Sequence, residues 1–133
     1  MFSSGNITIY VSDMDRAVRF YTETLGLRLA YRFGNQWAAV EVGKGLTVGL
    51  HPASAEMPAG RKGSMAIGLE LGSATIEDAI SRLESKGVRF HGPVNEGKAG
   101  KFVSFEDPDG NMIYIAQLNW EHVGQGEGKY QHA

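Results

Sequence analysis

The chain has 133 residues, 42% of them hydrophobic, enough for one compact domain or for two small halves that share a core. Its formal net charge of -2 offers no basic surface to a polyanion, which argues against nucleic acid and anionic membranes as partners. Cysteine is absent, so disulfides, thiolate nucleophiles and cysteine metal sites are excluded together.

The start, MFSSGNITIY, lacks the basic residues and apolar run of a signal peptide. No apolar run approaches the roughly 18 residues of a membrane span, so a cytoplasmic protein is expected. From Asn6 to Val11, Ile7, Ile9 and Val11 alternate with Asn6, Thr8 and Tyr10, the period of a strand with two unlike faces. Ser12 and Asp13 can cap a helix in which Met14, Ala17, Val18, Tyr21 and Leu25 share one side, and Gly26 provides its stop. LRLAYRF, WAAVEV and LTVGLH then read as three short strands, the last two joined at GKG. The first half is βαβββ.

After the Gly/Pro/Ala-rich HPASAEMPAGRKGS the order returns. MAIGLEL alternates, Ile76, Ala79, Ile80 and Leu83 make a helical face ending at Gly87, and VRFHG, KFVSFE and NMIYIAQL follow as strands. Ala17-Val18 aligns over Ala79-Ile80 and Tyr21 over Leu83. Ala39-Val40-Glu41 over Ser104-Phe105-Glu106 likewise puts VGKG over DPDG and Gly49 over Tyr114. The chain is thus read as two copies of one unit. Unit 1 spans about residues 5–52, a linker about 53–63, unit 2 about 64–118 and a tail 119–133, all within a single domain, 1–133. The three carboxylates Glu106, Asp107 and Asp109 beside Gly110 have the look of an ion site, but DPDG falls where the first copy has a hairpin loop and reads by preference as a turn, with Pro108 presetting φ and Gly110 taking φ > 0. That chemistry leaves Glu106 and Asp107 unaccounted for.

In each half the apolar strand face packs on the helix, so the composition of the other face is informative. The first half places Asn6, Thr8, Tyr10, Trp37, Thr47, Gly49 and His51 there. The second places Ala66, Gly68, Glu70, Phe102, Ser104, Met112 and Tyr114. Small residues beside aromatics and a few hydrogen-bonding groups suit a concave small-molecule site. The plainer reading is a wet sheet face, or one covered by a partner chain.

NITIYVSDMDRAVRFYTETLGLRL and FVSFEDPDGNMIYI, with the paired βαβββ order between them, resemble the vicinal oxygen chelate superfamily, which includes glyoxalase I, bleomycin-resistance proteins, extradiol dioxygenases and fosfomycin-resistance enzymes. The resemblance covers about residues 5 to 118 and rests on scaffold motifs. It implies an α+β fold of two tandem βαβββ units forming a curved, half-barrel sheet with helices on the outer face, and a cup between units, often across a dimer interface. It also implies a divalent metal in that cup, held from places that fall here on Asn6, Gly49, Ala66 and Tyr114. None is a His or a carboxylate, and glycine and alanine offer no side-chain donor, so no metal and no cofactor is expected.

Among the titratable residues, His51 lies two beyond Gly49, and a two-residue slip of the alignment would make it a ligand; a lone His before Pro52 is more often a surface residue. Glu70 is a candidate base or amine anchor, against the plainer reading of a solvated carboxylate. His91 has no evident carboxylate neighbour in sequence. Arg28 and Arg32 are placed to hold an anion or simply to keep a strand edge soluble. The Gly-rich polar tail has the composition of a disordered segment, with Trp120 and Tyr130 available as anchors against a partner chain.

The expectation is a homodimeric protein that binds a small organic ligand in an aromatic-lined cup without metal. Tyr10, Trp37, His51, Glu70, Phe102, Ser104 and Tyr114 are the ligand-binding residues; Tyr10, Trp37, Phe102 and Tyr114 line one cavity. The alternatives are a metal-dependent glyoxalase-like lyase, isomerase or dioxygenase, and a non-catalytic interaction scaffold.

Overall fold

Strand and helix alternate in the computed structural model as β1 (Ile7–Val11), α1 (Met14–Arg19), β2 (Arg28–Phe33), β3 (Trp37–Val42), β4 (Leu46–Pro52), β5 (Ile67–Glu70), α2 (Ile76–Glu84), β6 (Phe90–Gly97), β7 (Gly100–Glu106) and β8 (Met112–Leu118). The structure describes residues 1, 4–60 and 65–119; Trp120 and Tyr130 lie outside the described residues. The strands form two four-stranded mixed sheets, ordered β1-β4-β3-β2 and β5-β8-β7-β6.

The repeat holds residue by residue. In the first sheet β1 runs parallel to β4 with Ile7, Thr8, Ile9 and Tyr10 opposite Val48, Gly49, Leu50 and His51. In the second, β5 runs parallel to β8 with Ile67, Gly68, Leu69 and Glu70 opposite Ile113, Tyr114, Ile115 and Ala116. One constant offset on each strand carries the first register onto the second, and Gly49 falls on Tyr114. Each helix is capped at the matching place: Asp13 accepts from the Arg16 N–H at 3.0 Å and Thr75 from the Asp78 N–H at 3.2 Å. Each cap satisfies one of the backbone donors a helix start leaves unpaired.

Apolar alternation decides which sheet face meets the helix. Val11, Val40, Val48 and Leu50 are buried beside Met14, Ala17 and Val18 of α1, which packs on β3 and β4. In the second half Phe105, Ile113 and Ile115 are buried, as are Ile76 and Ala79 of α2. Gln117 on β8 reaches the start of α2, its carbonyl accepting from the Ile76 N–H at 2.7 Å.

Two elements depart from the sequence pattern. The helical periodicity predicts α-helix through Leu25, but Phe20–Thr24 form a π-helical turn in which the Leu25 N–H donates to the Phe20 carbonyl at 2.9 Å. Periodicity cannot separate this wider turn from an α turn over one revolution. β6 also runs on to Gly97, past the Gly92-Pro93 pair expected to end it. It is an edge strand, where Pro needs no ladder donor, and its register breaks between His91 and Asn95 to absorb the kink.

The chain clusters into two compact units, one made of Met1–Ala66 with Glu106–Met112, the other of Ile67–Phe105 with the chain from Ile113 onward. The β7–β8 turn therefore belongs to the first unit, and its carboxylates explain why. Asp107 is 5% exposed and accepts four hydrogen bonds: from the Tyr21 hydroxyl at 2.8 Å, from the Asp109 and Asn111 N–H groups at 2.9 and 2.8 Å, and from the Asn111 side-chain amide at 2.8 Å. Asp109 takes the backbone N–H and hydroxyl of Ser12 and a 3.3 Å ion pair from Arg16. A buried carboxylate is costly unless its lone pairs are filled, and here they are. DPDG is a turn, with the Gly110 N–H donating to the Asp107 carbonyl at 3.0 Å and Gly110 at φ 89°. Within the first unit it is also a latch that holds the segment Glu106–Met112 against the β1–α1 junction.

Candidate functional site

On the face of the first sheet turned away from α1, the pairing sets out cross-strand rows. Tyr10 on β1 stands opposite His51 on β4, and Trp37 on β3 stands opposite Phe33 on β2. The β3–β4 register carries His51 next to Trp37, so the row Tyr10, His51, Trp37, Phe33 crosses all four strands. The His51 ring meets Tyr10 edge-on at 5.5 Å between centroids and Trp37 edge-on at 6.4 Å. The next row holds Thr8, Gly49, Ala39 and Tyr31. Trp37 leans over it: a Cβ built on Gly49 would stand 2.7 Å from the indole Cζ2 and 2.9 Å from Cζ3. The missing side chain at Gly49 leaves room for the far end of the indole to reach over β4.

The second sheet shows a related arrangement. Gly68 and Tyr114 are register partners, and a Cβ on Gly68 would come within 2.5 Å of the Tyr114 Cζ, so the phenol ring is folded across the neighbouring strand. Glu70, Phe102, Ser104 and Tyr114 alternate onto the face away from Phe105 and Ile113, with Asn95 opposite Phe102 and His91 opposite Ser104. The structure thus brings Tyr10, Trp37 and His51 into one contact cluster and sets the other four expected residues on the corresponding face of the second sheet.

Several charged residues are engaged in the scaffold. Arg32 donates to Asp15 at 2.6 Å, to the Gly34 carbonyl at 2.7 Å and to Asn35 at 3.0 Å, and it holds the Asp15 carboxyl below its usual range. Arg28 is paired with Glu41. Burial, reinforced by the facing Asp107 carboxylate, pushes the Tyr21 phenol far above its ordinary range, so it stays a donor. A polar cleft of about 370 Å³ is lined by Glu96, Lys101, Gln117 and Asn119 among others. Lys101 there is paired with Glu77 and Glu96, and Gln117 caps α2.

The divalent-metal site that the resemblance implies does not fit the residues present. Trp37 fills the space beside Gly49, Ala66 has no donor, and the Asn6 carboxamide oxygen already accepts from Thr8 at 2.9 Å. Among the described residues no three His, Asp or Glu side chains gather as a metal-holding group.

Two residues of this face were not singled out from sequence. Tyr31 and Phe33, 51% and 65% exposed and in ring contact at 5.7 Å, lie on it because a bulge between Leu29 and Tyr31 turns β2 over by one residue. Without the bulge, Leu29 and Tyr31 would share a face.

The fold is shared with known proteins. TnmS3, an antibiotic-binding protein from Streptomyces sp. CB03234, is 28% identical, with a TM-score of 0.71 over 90% of this chain and 99% of its own. A glyoxalase/bleomycin resistance protein from the same organism is 29% identical, with a TM-score of 0.66 over 86% of this chain and all of its own (100%). The uncharacterized protein YetH of Bacillus subtilis strain 168 is 28% identical over 116 residues, 85% of this chain and 96% of YetH. Residues 4–115 match the family model of the glyoxalase/bleomycin resistance protein/dioxygenase superfamily, and it is to this superfamily that the chain belongs.

Proposed function

We propose that this protein binds a small planar organic molecule on the ring-bearing face of its first sheet, without a divalent metal, and that it works as a cytoplasmic homodimer. The observation that carries the reading is the row Tyr10–His51–Trp37–Phe33, with Trp37 lying over Gly49 at a place where metal-using relatives present a ligand. Flat aromatic surface with few polar groups favours stacking on a flat partner. Antibiotic binding by TnmS3 supports the same direction. The alternative of a metal-dependent lyase, isomerase or dioxygenase needs donors that Gly49 and Ala66 do not supply. Dimerisation is supported by the sheet edges β1, β2, β5 and β6, each with one strand neighbour among the described residues, and by the exposed Leu29, Tyr31 and Phe33 on β2.

The test is a thermal-shift screen of chelator-treated protein against planar aromatic compounds. At least one should raise the unfolding midpoint, equally with and without added divalent ions, and Trp37→Ala should abolish the rise. A screen with no stabilising compound, or stabilisation that demands a metal, contradicts the proposal.

A further inference from the structure

We infer that the ligand is a neutral hydroxylated aromatic, whose hydroxyl donates to Nε2 of His51 while its ring stacks beside Tyr10 and Trp37. The inference rests on the binding reading above and names the ligand class. His51 Nδ1 lies 2.8 Å from the carbonyl oxygen of Pro52. A carbonyl can only accept, so Nδ1 carries the proton, and in the neutral imidazole Nε2 must then carry the lone pair. The tautomer is thereby fixed by the backbone of the same strand.

His51 is exposed and stands between two rings that meet it edge-on, at 63° to Tyr10 and 69° to Trp37. The Nε2 acceptor is therefore offered at the middle of the aromatic row. Neighbouring charge on this face favours a neutral ligand. Glu41 and Arg28 lie on it and are paired with each other, leaving neither as a ready counter-ion for a charged ligand. An acceptor flanked by flat apolar surface matches a molecule that is itself flat with a donor on its rim; a phenol has that form.

The probes are 2-naphthol and its methyl ether, 2-methoxynaphthalene, which share a ring system and differ in the donor. Calorimetric titration of the wild type should show naphthol binding about fivefold more tightly, the ratio that one net hydrogen bond supplies. His51→Phe keeps an aromatic ring at the position and removes the acceptor. Whatever the variant does to the affinity for the ether, it should bring the ratio between the two probes close to one. Equal binding of both probes by the wild type, or a ratio that survives in His51→Phe, overturns the inference while leaving the binding reading in place. Failure of the wild type to bind either probe overturns the inference, and the binding reading then stands or falls with the thermal-shift screen.

Discussion

Trp37 occupies the space above Gly49 that any side chain at position 49 would fill. The two residues lie on adjacent antiparallel strands, and the absence of a side chain on one is what lets the far end of the indole of the other reach over it. A methyl group at position 49 would meet the far end of the indole, so the ring must swing away.

Gly49→Ala should therefore displace Trp37, with loss of ligand binding and a stability cost of about 1–3 kcal/mol, typical of overpacking. Denaturant titration and tryptophan emission measure the two effects. Unchanged emission together with unchanged stability would show that the indole does not rest there.

The Tyr21–Asp107 hydrogen bond, 2.8 Å long and spanning 86 positions in sequence, should be a main tie of the β7–β8 turn. Tyr21→Phe leaves the buried carboxylate short of one donor and should cost about 1–3 kcal/mol. The same pair predicts alkaline sensitivity. The folded chain keeps the phenol protonated far above its ordinary range, whereas the unfolded chain releases that proton from about pH 10 upward. Above that pH the unfolded state binds fewer protons, so the Tyr21 contribution is complete below about pH 10 and falls as pH rises. Urea titrations from pH 8 to 11 should show a shallower alkaline loss for Tyr21→Phe than for the wild type. Parallel curves would remove Tyr21 from the account.

Assembly is checked by light scattering at micromolar concentration, where the wild type should run at twice the chain mass. Phe33→Asp places a charge on the exposed ring position of edge strand β2 and should shift the population toward monomer. A monomeric wild type would contradict the dimer.

Much of the fold was legible in the sequence because alternation and helical spacing report which residues face a core. Those signals set the two βαβββ copies in the register the sheets show, down to Gly49 over Tyr114. The face of Tyr10, Trp37 and His51 followed from the same parity. Non-local events were not legible. The bulge at Leu29–Tyr31 reverses parity without any local marker, so Tyr31 and Phe33 were missed. The latch on Asp107 depends on Tyr21, far off in sequence, although Asp107 was one of the two residues that turn chemistry left over. That Trp37 reaches over Gly49 was not legible either, because side-chain lean across a strand is a property of packing and not of pattern.

The most direct measurement follows Trp37 itself. The chain has 2 tryptophans, so Trp120→Phe leaves Trp37 as the only one, read selectively by exciting beyond the tyrosine absorption. Titration of that variant with 1,4-naphthoquinone in the presence of EDTA should give saturable quenching, because the quinone stacks at a fixed site beside the indole. Quenching that rises linearly as for free tryptophan, or that saturates only when divalent ions are added, would contradict a metal-independent binding surface built on Trp37.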